Sequence, residues 1–80
     1  MHELGVLHQI VKKVNGIALE NQISKIKHIA LEVGENSGFV PHYLTKLFPV
    51  AIDRYPVLKK AKLLIAMVPG KGLVIKEIGY

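Results

Sequence analysis

The apolar residues of this chain switch between two spacings, and this switching limits the folds open to it. From Leu4 to about Leu19 they recur every three or four residues, as on one face of an amphipathic helix. From Ile26 to Val33 they alternate with other residues, which is typical of a half-buried strand. The first half of the chain therefore predicts a helix and then a strand, with Ile26, His28 and Glu32 on the wetter face.

The second half predicts a helix and two more strands. Pro41 occupies the first position of the helix, and Pro49 should kink that helix or end it early because proline lacks an N–H. Residues Lys62 to Val68 are apolar on both faces, as expected of a central strand, and Leu73 to Ile78 form the last strand. The turn Pro69–Gly72 between them favours an antiparallel hairpin.

The predicted order is α-β-α-β-β, an α+β fold in which a three-stranded sheet carries two helices on one face. Residues 1–80 then form a single small domain with one modest core, since a chain this short buries only about 60 to 65% of its unfolded surface. The other sheet face should stay partly wet. If the first two strands are neighbours, the helical crossover makes them parallel.

Composition excludes several classes of function. The chain has no cysteine, so disulfides, thiolate metal sites and cysteine nucleophiles are impossible. No apolar run approaches the roughly 18 residues of a membrane span, so a cytoplasmic location without membrane contact is expected. The net charge of +5 comes from scattered lysines, and with Arg54 as the one arginine, nucleic-acid binding is not favoured. No nucleophile with a neighbouring base can be named, so no enzyme is predicted.

The amino-terminal residues Met1, His2 and Glu3 offer a set of metal ligands. The Met1 amine, the His2 backbone nitrogen and the His2 imidazole can close fused chelate rings around one ion. Glu3 can add its backbone nitrogen or its carboxylate. Such a nitrogen set is planar, and nickel(II) and copper(II) favour planar nitrogen surroundings, whereas zinc prefers a tetrahedron. The spacing therefore indicates a nickel(II) or copper(II) site.

The positive end of the first helix dipole lies beside this site and repels a cation, although Glu3 adds negative charge there. The reference pKa values are about 6.5 for histidine and 7.7 to 8.0 for an α-amine, so acid should release the ion. The alternative interpretation is that His2 and Glu3 are ordinary polar residues before a helix. The remaining histidines, His8, His28 and His42, lie on other faces or elements and offer no better site.

Several segments resemble the HypA/HybF family of hydrogenase and urease nickel-incorporation proteins. The opening Met1–Leu4 and the glycine turn that ends the segment Leu31–Gly38 are the specific parts. The other matching segments follow the order of the predicted elements; they are Val40–Pro41 with Leu44 and Phe48, Lys62–Ile65, and Leu73–Ile78. The resemblance covers essentially the full length of the chain and selects nickel over copper.

The resemblance implies a nickel metallochaperone that binds nickel(II) through His2, works with a nickel-handling GTPase and serves hydrogenase or urease maturation proteins. Members of the family insert a zinc-binding domain with paired Cys-x-x-Cys motifs between the last two strands. In this chain the turn Pro69–Gly72 stands in that place, so no zinc is expected.

An alternative function keeps the fold without the metal. The chain would then be a protein-interaction module that forms a homodimer or docks through the outward face of the strand Lys62 to Val68. The residues of that face are Leu64, Ala66 and Val68.

Overall fold

The computed structural model describes residues 2–80, and the side chains of residues 3–80. Its elements are α1 (His2–Glu20), β1 (His28–Gly34), α2 (Pro41–Ile52), a 3₁₀ turn (Pro56–Leu58), β2 (Lys62–Val68) and β3 (Leu73–Gly79). The predicted α-β-α-β-β order and the α+β class are confirmed. No described helix is long and apolar enough to cross a membrane.

A single apolar core lies between the helices and one face of the sheet. The stripe of α1 and the alternation of β1 both point into it, as their spacings predict. Ile26 was predicted on the wetter face but is fully buried, because it precedes β1 and its N–H donates to the Val57 carbonyl at 2.9 Å. The buried apolar residues are Leu7, Ile10, Val11, Val14, Ala18, Ile26, Ile29, Leu31, Val33, Leu44, Phe48, Ala51 and Leu58.

The second helix begins at Pro41, as predicted, and continues through Pro49 to Ile52. Of the two outcomes predicted at Pro49, a kink or an early end, the early end is therefore wrong. Pro49 is exposed, while Phe48 and Ala51 on either side of it are buried in the core. Packing of these two residues holds the last turn although proline removes one backbone hydrogen bond there.

The central strand of the described sheet is β1, which lies between β2 and β3. It runs parallel to β2 and antiparallel to β3. The predicted hairpin between β2 and β3 is therefore wrong, and so is the central position predicted for β2. Burial explains why β1 is the central strand. The helices cover only one face of the sheet, and β1 has the strictest alternation of apolar residues toward that face.

The turn Pro69–Gly72 therefore crosses the end of β1 and joins β2 at one edge of the sheet to β3 at the other edge. The Gly34 N–H donates to the Gly72 carbonyl at 2.7 Å, and the Asn36 N–H donates to the Gly70 carbonyl at 2.8 Å. A Cβ on Gly34 would overlap the carbonyl oxygen of Gly70 and lie 2.9 Å from the Gly72 nitrogen. Glycine at position 34 is what allows the two backbones to approach this closely.

Candidate metal centre

The predicted ligands lie at the start of α1. Met1 and the side chain of His2 fall outside the described residues, so the structure describes neither of these two groups. The backbone of His2 opens the helix, and Glu3 is described in full. Of the predicted set, Glu3 is therefore the residue whose side-chain geometry is known.

The side chain of Glu3 is buried, with only 4% of the residue exposed. Its carboxylate Oε2 accepts a hydrogen bond from the backbone N–H of Val40 at 3.0 Å. Val40 is the N-cap residue of α2, so this bond ties the first turn of α1 to the start of α2. The carboxylate that was a candidate ligand is engaged in holding the two helices together.

This environment lowers the pKa of Glu3 to about 2, chiefly because the Val40 N–H donates to the carboxylate. The group is therefore ionised at neutral pH. A carboxylate at this position also offsets the positive end of the α1 dipole, next to which a bound cation would lie.

Sequence analysis missed the contribution of Val40, which acts through its backbone. Its side chain gives no hydrogen bond to cap α2, and Pro41 after it has no N–H. A helix start without a capping side chain was the available signal that another residue must satisfy this backbone group.

The other histidines do not form a competing centre. His8 on α1 and His42 on α2 are exposed. His28 on β1 contacts Glu77 of β3, with Nε2 and Oε2 2.8 Å apart, on the sheet face away from the helices. Within the part of the chain that the structure describes, no three histidine or acidic side chains converge.

A groove of about 650 Å³ lies elsewhere, between α1 and β3. Apolar residues such as Val6, Ile10 and Ile75 line much of it, together with Lys13 and Lys76. Glu3 does not line this groove.

The fold matches that of two solved structures. The solution structure of the Ni metallochaperone HypA from Helicobacter pylori superposes with a TM-score of 0.77, covering 96% of this chain and 88% of that chain at 19% identity. A second solution structure, of a HypA protein, gives a TM-score of 0.74 at 20% identity and covers 98% of this chain and 90% of the other. At these identities the likeness establishes the fold alone.

The chain belongs to the HypA family, described as "Hydrogenase/urease nickel incorporation, metallochaperone, hypA", which it matches over residues 1–73. It is 33% identical over 69 residues to the hydrogenase maturation factor HypA of Methanosarcina barkeri. It is 38% identical over 73 residues to the corresponding factor of Trichodesmium erythraeum. The family is one of metallochaperones and not of enzymes, in agreement with the prediction.

These alignments cover most of this chain but a smaller part of each relative. They include 86% of the chain and 51% of the Methanosarcina protein, and 90% of the chain and 60% of the Trichodesmium protein. The chain thus spans about half to three fifths of the length of these relatives.

Proposed function

We propose that this protein binds nickel(II) at its amino terminus as a HypA-type metallochaperone domain for hydrogenase maturation. The observation that carries the proposal is the family match, which begins at residue 1 and so includes Met1, His2 and Glu3. The ligands are the Met1 amine, the His2 backbone nitrogen and imidazole, and a group from Glu3. Nickel is the cargo of this domain, which spans residues 1–80 with the turn Pro69–Gly72 in place of a zinc-binding insertion.

The geometry at Glu3 favours its backbone nitrogen as the fourth ligand. The carboxylate is buried and accepts the Val40 N–H, so its role is to position the terminus. The backbone N–H groups in the first turn of a helix have no acceptor within the helix. The amide proton of Glu3 donates to the Glu3 carboxylate, so nickel can replace it without breaking a backbone bond between helical turns.

Charge at the site supports binding of a dication. The helix dipole places a partial positive charge at the start of α1, which opposes a metal ion. The ionised carboxylate of Glu3 and any deprotonated backbone amides oppose this effect. Because binding releases protons from the amine, the imidazole and the amides, the affinity should fall as the pH drops below neutrality.

The proposal also includes the transfer of bound nickel to another protein. Delivery of nickel to a hydrogenase is proposed from the role of the relatives, which are hydrogenase maturation factors. A GTPase partner, service to urease and a cytoplasmic location stay predictions from the sequence.

Titration of nickel(II) into protein that begins at Met1 tests the proposal. We expect one ion per chain and the absorption of a diamagnetic square-planar complex, which His2→Ala should abolish. His8→Ala is the matched control, since His8 lies exposed on the same helix and should not contribute. Glu3→Gln should keep the planar spectrum, because a glutamine oxygen can still accept the Val40 N–H.

Extra residues before Met1 provide a second control, because they convert the amine into an amide and should remove the planar site. Nickel binding that is unchanged by His2→Ala or by such an extension would refute the terminal site.

A second candidate function is an interaction module that acts without metal through β2. The specific observation is exposure, since 49% of Leu64 is accessible and no residue of β2 is buried. The face predicted from sequence consists of Leu64, Ala66 and Val68, and it lies on the side of the sheet opposite the helices. Measurement of the solution mass together with the nickel titration distinguishes the two functions.

A further inference from the structure

The two edge strands of the sheet differ in how they resist pairing with another chain. On β3 the register shifts between the partners of Ala30 and Leu31, which leaves Lys76 as an extra residue beside Glu77. A bulge and charged side chains are the usual means by which an edge strand avoids further pairing. On β2 the register is unbroken and residues 63–68 carry no charge, so nothing of this kind protects its edge.

The backbone groups on the open edge of β2 can be assigned. The Lys62 N–H donates to the Lys27 carbonyl at 3.0 Å, and the Val68 carbonyl accepts the Glu35 N–H at 2.7 Å. Residues 62 and 68 therefore direct their backbone groups toward β1, and alternation places 64 and 66 with them. The N–H and C=O groups of Leu63, Ile65 and Met67 then point away from the sheet.

We propose that the open edge of β2 binds the same edge of a second copy of this chain in an antiparallel arrangement. The two-fold axis passes between the two copies of Ile65. Ile65 then faces Ile65 of the partner subunit, and Leu63 faces the partner subunit's Met67. This register joins every outward backbone N–H and C=O of residues 63, 65 and 67 to the other strand. The result is one continuous sheet with the helices of both copies on the same side.

Side chains and charges fit this arrangement. Directly opposed residues share a face, so the larger Leu64 meets the partner subunit's Ala66, and the reverse. Lys62 lies opposite Val68 of the partner subunit, and the two ammonium groups are roughly 20 Å apart along the strands. Parallel pairing would place the two lysines side by side, which disfavours it.

A second copy is favoured over a strand from another protein because one contact covers the exposed edge of both partners. Such self-complementary contacts around a two-fold axis are the commonest way in which identical chains associate. Helix α2 does not obstruct the contact, since Met67 on the helix side of β2 remains 44% exposed. The inference names the partner for the second candidate function and is independent of nickel.

The test uses sedimentation of the metal-free protein over a range of concentrations. We expect a dimer for the unmodified chain and a dissociation constant about tenfold higher for Leu64→Lys, because the two new ammonium groups become diagonal neighbours. Val74→Lys is the matched control on the outer face of β3, where Val74 is 53% exposed. It should leave the dimer unchanged.

Two further measurements separate the edge from the face and fix the register. Amide exchange at residues 63, 65 and 67 should slow as the concentration rises, whereas the amides of residues 64 and 66 should be protected at all concentrations. Mixing Leu64→Lys with Ala66→Glu should restore association, because the register places these positions opposite each other across the axis.

A monomer at every concentration overturns the proposal and leaves the edge of β2 to a strand from another protein. A dimer that survives Leu64→Lys, or that dissociates with Val74→Lys, places the contact elsewhere and also overturns it. A dimer in which the amides of residues 63, 65 and 67 still exchange freely would also overturn the edge contact. It would support docking through the outward face of β2, which is the second candidate function. Nickel titration of Leu64→Lys should match the unmodified chain, so failure of either proposal is visible separately.

Discussion

The turn that crosses β1 and the start of α1 each join segments that are distant in sequence, but they do so by different means. At the crossing, Gly34 and Asn36 bond to backbone carbonyls of Gly70 and Gly72, with no space for a side chain between the two backbones. At the start of α1, the described link is the bond from the Val40 N–H to the carboxylate of Glu3. The crossing therefore fixes the fold, whereas the terminus can change chemically while the fold persists.

The largest effect on stability is expected at the crossing. Gly34→Ala places a methyl group against the Gly70 carbonyl and 2.7 Å from the Gly70 carbonyl carbon, and two backbones cannot separate without losing their bonds. We expect the free energy of unfolding to fall by about 3 kcal/mol, measured by urea denaturation. The folded fraction should bind nickel as before, since Gly34 is not among the proposed ligands.

Gly79→Ala is the matched control for this prediction. A Cβ at Gly79 would overlap the imidazole of His28, which is a side chain and can rotate away. The loss is then limited to the contact between His28 and Glu77, for which we expect less than about 1 kcal/mol because both groups are partly exposed. Equal losses in the two variants would contradict the distinction between a backbone obstacle and a side-chain obstacle.

A smaller, acid-dependent effect is expected at Glu3. The folded pKa of about 2 lies below the reference value of 4.5, so the ionised carboxylate stabilises the fold above pH 4.5. This contribution should disappear as the pH falls from 4.5 toward 2. Glu3→Gln keeps an acceptor for Val40 but has no charge to lose, so its stability should approach that of the unmodified chain over this range.

Denaturation of both proteins at a series of pH values measures this difference. A gap between them that stays constant from neutral pH to pH 2 would mean that the charge of Glu3 does not contribute to stability. Glu3→Ala provides a further comparison, because it leaves the Val40 N–H without this acceptor at every pH.

The comparison also explains which features could be predicted from the sequence. The stripe of α1, the start of α2 at Pro41 and the alternation of β1 follow from local spacing, because a single element determines which of its residues face the core. The amino-terminal ligand set is likewise local, since its predicted ligands come from three consecutive residues. Apart from the early end predicted at Pro49 and the wetter face predicted for Ile26, the predicted helices and β1 match the described structure. The ligand set stays a prediction, because Met1 and the side chain of His2 fall outside the described residues.

The order of the strands depended on contacts that no local pattern contains. Apolar residues on both faces suggested that β2 is central, but a strand at an open edge can have the same composition. A four-residue turn is also compatible with two outcomes, a hairpin or a crossing over one intervening strand. The bond between Glu3 and Val40 joins residues 37 positions apart, and the donor is a backbone group that has no sequence signature.

The smallest effect is expected at Gly5, which lies in α1 close to the proposed ligands. Gly5 is exposed, and no atom lies within 4 Å of the position that a Cβ would occupy. Gly5→Ala should therefore raise the free energy of unfolding by about 0.5 to 1 kcal/mol, because alanine loses less conformational entropy in a helix. Gly38→Ala should do the opposite, since Gly38 has a φ of 86° that alanine rarely adopts.

The nickel affinity of Gly5→Ala tests how the terminus binds metal. If nickel replaces amide protons that donate to no backbone carbonyl of the helix, a more stable first turn does not oppose chelation and the affinity should stay the same. A weaker affinity, measured by competition with a chelator, would show that α1 must unwind before it can bind. The terminus and the fold would then be coupled, and chelation would depend on the stability of α1.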